Sequence, residues 1–333
     1  MTANHIRTPE YQRPENLEAM LQFFAARLGP VEQREIADLE LCDEPIVYIM
    51  GCARSGTTLV YQYLTQSGLF AYPSNFLSRF YYAPYLGAQL QKMLFDCDFR
   101  GEIDGGRAAA FTSQLGKTQG ALAPHEFWYF WRRFFAFGDT QQLSETELAA
   151  VDGTGFTREL RAMQTAFGKP LVLKGMILNW HLPYLAELYE NSFFVIVERD
   201  TADNARSLLD ARREFAGTET DWYSFKPPGW RDVLSLSPPE QTAWQVLATN
   251  AALKQGAAKI APERVCRVTY EQFCTAPQKL LTDIAERCGQ SLPHTAAELP
   301  AKFDVRRRQD GQDWQKIIGE VEPLIQPTSL STT

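Results

Sequence analysis

Hydrophobic and polar positions along this chain follow two rhythms. Over residues 15–40 apolar groups recur at helical spacing (Leu17, Met20, Leu21, Phe24, Leu28) among charged ones, which predicts a helical segment near the N-terminus. From Pro45 onward short unbroken apolar runs take over: "IVYIM" after Pro45, "PLVLKG" at 170–175, "SFFVIVERD" at 192–200 and "RVCRVTY" at 264–270. Runs of this length, bounded by Pro, Gly or charge, suit strands buried on both faces of a parallel sheet. Between and after them lie helical stretches: "LVYQYLTQSG" closing at Gly68, "LNWHLPYLAELYEN" with Pro183 in its first turn, and "APQKLLTDIAERCG". Strands alternating with helices predict a three-layer α/β fold, a central mostly parallel sheet flanked by helices. We expect residues 1–44 to form an N-terminal helical extension and 45–333 a single α/β domain.

One stretch breaks both rhythms. Residues 216–236, "AGTETDWYSFKPPGWRDVLSL", mix Gly, Pro, Trp and charge without a period, the pattern of a lid or substrate loop. It ends where Ser237-Pro238-Pro239-Glu240 gives capping-box spacing, predicting a helix to about Ile260. No internal repeat or low-complexity tract interrupts the chain.

The 333 residues carry a formal charge of −7, which argues against a nucleic-acid partner. No apolar run approaches the roughly 20 residues that span a bilayer, and the N-terminus lacks a signal-peptide pattern. Six scattered cysteines without a CxxC pair read as free thiols, so a cytoplasmic protein, monomer or homodimer, is expected.

The candidate chemistry begins at "YIMGCARSGTTLVYQYL", 48–64, a strand–loop–helix unit resembling a phosphate-binding loop. Amides at a helix start, the helix dipole and the hydroxyls of Ser55, Thr57 and Thr58 make an anion site around Gly56. Gly56 stands where a triphosphatase has Lys, and the loop's cation is Arg54, able to make bidentate contacts with a phosphate. ATP chemistry needs Mg²⁺ held by an acid ending a second strand. Here that strand reads "FFVIVERD", placing Arg199 after the apolar run. A monoanionic sulfuryl group needs less neutralisation and no metal.

Two separated stretches then resemble one family. "GCARSGTTL" is similar to the loop holding the 5′ side of the donor in sulfotransferases that use 3′-phosphoadenosine 5′-phosphosulfate (PAPS). "ERDTADNARS" resembles their second motif, in which a Ser follows the Arg by eight residues; Arg199 and Ser207 stand at those places. The resemblance implies that these two grip the 3′-phosphate, with Thr201 replacing the family's usual Pro. It further implies that Tyr270, in "RVTYEQF", lies near the adenine. "RRRQDGQDW" is similar to the family's C-terminal basic loop, which carries Arg307 and Arg308 over to the 3′-phosphate, although Gln309 replaces a Gly. The fold implied is P-loop-like, and the activity is in-line, metal-free transfer of a sulfuryl group from PAPS to a hydroxyl or amine.

The general base does not carry over, because Lys174 is followed by Gly175-Met176 where cytosolic members place a His. Candidates are His125 and Glu126 in "APHEFWYFWRRFF", and His181, seven residues after Lys174. Lys174 is expected to point toward the transferred group. The aromatic stretches 76–95 and 127–137 predict a small apolar or aromatic acceptor of the natural-product kind. Two other readings fit the loop: a P-loop ATP-dependent small-molecule kinase, and a catalytically silent nucleotide-binding protein.

Overall fold

The four apolar runs become four strands. The computed structural model describes residues 7–98, 100–102, 111–307 and 310–325. Its strands are β1 (Ile46–Gly51), β2 (Leu171–Lys174), β3 (Ser192–Glu198) and β4 (Val265–Thr269). They lie in the order β2-β1-β3-β4 with every pair parallel. β1, central and buried along its whole length, alternates its side chains between two cores. Ile46, Tyr48 and Met50 enter one hydrophobic cluster, and Val47 and Ile49 the other. The sheet is therefore covered on both faces, which is why its strands read as unbroken apolar runs.

Twelve α-helices are described: α1 (Leu17–Glu35), α2 (Thr57–Gln66), α3 (Pro84–Gln91), α4 (Trp128–Phe134), α5 (Glu145–Ala149), α6 (Gly153–Phe167), α7 (Leu182–Leu188), α8 (Thr201–Ala216), α9 (Pro238–Ala257), α10 (Tyr270–Thr275), α11 (Pro277–Arg287) and α12 (Trp314–Val321). Leu64 of α2 and Leu281 and Ile284 of α11 pack on the β1 Val47 face, whereas Leu160 of α6, Leu208 of α8 and Leu253 of α9 fill the other. Ser237 and Glu240 form the expected capping box at the start of α9. α6 begins Gly-Thr-Gly, a weak helical signal, and is started by Asp152, whose Oδ1 accepts Gly155 N–H at 2.8 Å.

Most of the aromatic stretch 127–137 is core. Phe127, Phe130, Trp131 and Phe135 are fully buried, and the last three surround Phe156 at ring separations of 5.5–6.0 Å. Arg133, at the end of this stretch's helix, is bound by the carboxylate of buried Glu159. Among the described residues no helix is long and apolar enough to cross a membrane.

Candidate functional site

Parallel strands end on one edge of their sheet, and there all four contribute chemistry. β1 runs into the Gly51–Thr58 loop, β2 ends at Lys174, β3 is followed by Arg199, and β4 by Tyr270. β1 has β2 on one side and β3 on the other, so connections diverge at its carboxyl end. Ligands of open α/β sheets bind in that crevice.

The loop is held from both sides. Asn179, fully buried after β2, accepts Gly51 N–H at 3.2 Å and donates back to Gly51 O at 2.8 Å. Asn204, fully buried on α8, donates to Ala53 O at 2.8 Å. Gly56 caps α2 with φ 101°, a left-handed conformation that L-residues avoid. A Cβ there would also stand 2.5 Å from Tyr270 Cδ2, so the tyrosine ring lies directly on the loop. Arg54 is itself left-handed at φ 68°. Thr57 Oγ1 donates to Met176 Sδ at 3.1 Å, while the buried Ser55 hydroxyl has no hydrogen-bond partner. The amides opening α2 belong to the unsatisfied donors of a helix start.

Residues from the two separated motifs meet. Arg54 Nε donates to Ser207 Oγ at 3.2 Å. Arg199 Nη1 donates to Arg54 O at 3.2 Å, and its guanidinium lies 4.8 Å from the Tyr270 ring centre. Arg199 also donates to Arg306 O, and Arg306 N–H donates to Tyr270 Oη at 3.3 Å. The C-terminal basic segment is thereby drawn to this edge with Arg307 exposed on it. Arg308 lies outside the described residues. The neighbouring acids have structural partners: Glu198 pairs with Arg267 at 3.3 Å, and Asp200 caps α8 through Asp203 N–H at 2.9 Å.

On the opposite flank, Lys174 Nζ lies 2.5 Å from Glu126 Oε1 and 2.7 Å from Thr58 Oγ1. The lysine side chain is 2 % exposed and that of Glu126 21 %. Trp128 Nε1 donates to the other carboxylate oxygen. Burial opposes ionisation of Glu126, but the charges of Lys174 and Lys117 outweigh it and hold the carboxyl below its usual range. A turn made by reciprocal backbone hydrogen bonds between Gln114 and Lys117 covers the pair. Gly116, at its tip with φ 80°, has room for a Cβ only at 3.3 Å from Thr58 Oγ1 and 3.6 Å from Glu126 Oε1.

The two histidines differ from this carboxylate. His125 Nδ1 accepts Phe127 N–H at 2.9 Å, which leaves the proton of the neutral ring on Nε2. Burial and the charge of Lys117 push its pKa down to about 4. His181, 2 % exposed, has Nε2 at 2.9 Å from Gln141 O and 3.2 Å from Leu143 N. Its polar contacts are backbone groups of the 141–143 segment, and no hydrogen bond joins it to Glu126 or Lys174.

The 216–236 loop reaches the same flank. Gln245 Nε2 donates to the carbonyls of Tyr223 and Phe225 at 3.0 and 2.8 Å, and Asp139 binds Lys226, Trp230 and Arg231. So held, Tyr223 Oη donates to Leu115 O at 3.1 Å, and Phe225 stacks on Trp128 at 5.8 Å. Asn179 and Asn204 were not expected from the sequence, whereas Trp128 and Tyr223 fall within the stretches 127–137 and 216–236 that were expected to serve the acceptor or a lid. Asn179 carries one faint signal, a polar side chain in the apolar run 176–180, whereas Asn204, among Asp203, Arg206 and Ser207, carries none.

Sulfotransferase STF9 from Mycobacterium avium is 14 % identical over 97 % of this chain and 87 % of that one, with a TM-score of 0.59. Sulfotransferase STF1 from Mycobacterium tuberculosis H37Rv is 15 % identical over 84 % and 78 % of the two chains, with a TM-score of 0.50. At such identities the likeness shows the shared P-loop-like fold. No curated protein matches the chain. The model of the sulfotransferase family matches residues 45–294, which spans the phosphate loop, the Arg199–Ser207 motif and Tyr270: the chain belongs to the sulfotransferase family.

Proposed function

We propose that the chain transfers the sulfuryl group of PAPS to a hydroxyl or amine of a small acceptor. The observation that carries this reading is the meeting of Arg54 with Ser207 and Arg199 on one sheet edge. A nucleotide with anions on both its 5′ and 3′ sides suits such a pair of cationic sites. The fit is supported by the unpartnered, buried Ser55 hydroxyl and by the side-chain-free cradle at Gly56. Ser55, Gly56, Thr57, Thr58 and Arg54 would hold the 5′ phosphosulfate, and Arg199, Ser207 and the Arg307 segment the 3′-phosphate, with Tyr270 beside the base.

Bound there, PAPS supplies an activated sulfuryl group. Glu126 is the general base in this reading. Its carboxylate is kept ionised by Lys174, and each oxygen retains a lone pair beyond the bonds from Lys174 and Trp128. His125 is the poorer choice, since its Nδ1 lone pair is spent on Phe127 N–H. Lys174 and Thr58 face the charge that builds on the transferred group, where fixed donors contribute most. Trp128, Phe225 and Tyr223 give the acceptor side an aromatic wall, which favours an apolar or aromatic alcohol.

The test is transfer of label. The purified chain, given ³⁵S-labelled PAPS and a small-molecule extract of its source cell, should yield a labelled product. Glu126→Gln should yield product at least roughly a hundredfold more slowly while still binding 3′-phosphoadenosine 5′-phosphate (PAP). Equal labelling by both proteins would remove Glu126 from the reaction.

A further inference from the structure

The C-terminal basic segment is anchored a second time, by an acid. Asp310 accepts Trp314 Nε1 on both oxygens, at 3.0 and 3.1 Å, and Gln312 N–H on Oδ1 at 3.2 Å. Its Oδ2 forms an ion pair with Arg206 Nε at 3.1 Å, the two side chains being 25 % and 13 % exposed. Arg206 in turn pairs with Asp203 at 2.9 Å and lies 5.6 Å from the Trp314 ring centre. Trp314 is 3 % exposed, opens α12 and belongs to the main core. Asp310 is therefore tied both to α8 and to the start of α12.

The placement of this tie matters. Arg206 immediately precedes Ser207 on α8, and the upstream end of the segment is fixed at Arg306 by Arg199 and Tyr270. Arg306 and Asp310 are thus each tied to a residue of, or next to, the Arg199–Ser207 motif. Arg306 and Arg307 carry charge of the same sign as Arg54, Arg199 and Arg206, so repulsion would push them outward. Long exposed arginines also lose much entropy when held in one place. A fixed anionic anchor counters both effects before any ligand arrives.

We propose that Asp310 is a positioning residue that holds the Arg306–Arg307 segment ready for a ligand phosphate at the Arg199–Ser207 site. The inference rests on the reading of PAPS as donor, and it makes discrimination by the 3′-phosphate depend on a carboxylate that touches no ligand. The loss expected on weakening the anchor is therefore selective.

Isothermal titration of the full chain with PAP and with adenosine 5′-phosphate (AMP), which lacks the 3′-phosphate, separates the outcomes. Asp310→Asn should weaken PAP binding roughly tenfold and leave AMP binding within about twofold, since one charge-assisted contact is lost. Arg206→Gln, which breaks the same tie from the other side, should reproduce the selective loss. Unchanged PAP affinity in both variants would overturn the proposal, as would equal weakening of PAP and AMP, the mark of a merely structural role. If the unaltered chain does not prefer PAP to AMP, the donor reading itself fails, and this inference with it.

Discussion

Lys174 Nζ stands between Glu126 Oε1, at 2.5 Å, and Thr58 Oγ1, at 2.7 Å, so a single ammonium joins a largely buried carboxylate to the phosphate loop. The sheet sets this up. Lys174 is the last residue of β2 and Thr58 lies in the first turn of the helix that follows β1, its neighbour strand. Glu126 arrives from a separate loop whose backbone is tied to the helix side at His125 N–H to Pro73 O, 2.8 Å.

If Glu126 takes the acceptor's proton, Glu126→Gln should lower turnover by roughly 10²- to 10⁴-fold, the usual weight of a general base. PAP affinity, measured by calorimetry, should not change, because Glu126 contacts the loop only through Lys174. A parallel loss of PAP affinity would assign Glu126 to organising the loop.

The acid side of the pH–rate profile reports the same pair. Burial alone would raise the Glu126 pKa, and the lysine charges bring it below its ordinary value of 4.5. A carboxylate with a depressed folded-state pKa stays charged until the pH falls through that lower value, so the acid limb of kcat/KM should lie below pH 4.5. Lys174→Met leaves burial less opposed and should move the limb upward, whatever it does to the maximal rate. A limb that stays in place would mean that another group governs it.

Gly56 permits a controlled comparison. An alanine there must adopt φ 101° and bring Cβ within 2.5 Å of the Tyr270 ring, whereas at Gly168, φ 64°, nothing lies within 4 Å. Gly168→Ala should cost only the left-handed strain, about 1–2 kcal/mol of stability. Gly56→Ala should show that cost and also lose most of its PAP affinity, because Tyr270 is displaced. Equal behaviour of the two variants would show that the tyrosine contact plays no part in binding.

Glu32 predicts a pH dependence far from the site. It is fully buried, with Oε1 accepting Tyr85 N–H at 2.7 Å and Oε2 accepting Leu86 N–H at 3.0 Å, which fastens α1 to the start of α3. Burial raises its pKa from 4.5 to about 7 despite those bonds and Arg133. Between these values the folded state holds a proton that the unfolded state has released, so stability falls as pH rises through this window and levels off above about 7. The contribution amounts to about 3 kcal/mol across the window. Urea unfolding at pH 5.5, 6.5 and 7.5 should show this decline in the unaltered chain and a smaller one in Glu32→Gln. Identical slopes would contradict it.

The legible parts of this molecule are those in which one local pattern fixes one outcome. Unbroken apolar runs exist because β1 to β4 are covered on both faces, and Ser237–Glu240 is a self-contained cap, so the strands and the start of α9 can be read directly. The contact of Arg54 with Ser207 depends on the order of the strands, and the spacing of two motifs foreshadowed it only through family resemblance. Asn179 and Asn204 gave little warning, because each acts on backbone from a distant part of the chain. The aromatic run 127–137 was ambiguous for a related reason: the same rings serve a pocket wall or a core, and Phe156, on a helix hidden by its glycines, gathers Phe130, Trp131, Phe134 and Phe135.

Calorimetric titration with PAP, ATP and ADP, each with and without Mg²⁺, asks whether the loop and the Arg199–Ser207 motif together hold a 3′-phosphorylated sulfuryl donor. PAP should bind most tightly, its affinity should not depend on Mg²⁺, and Arg199→Ala should remove the preference over ADP. Tighter, Mg²⁺-dependent binding of ATP would contradict this.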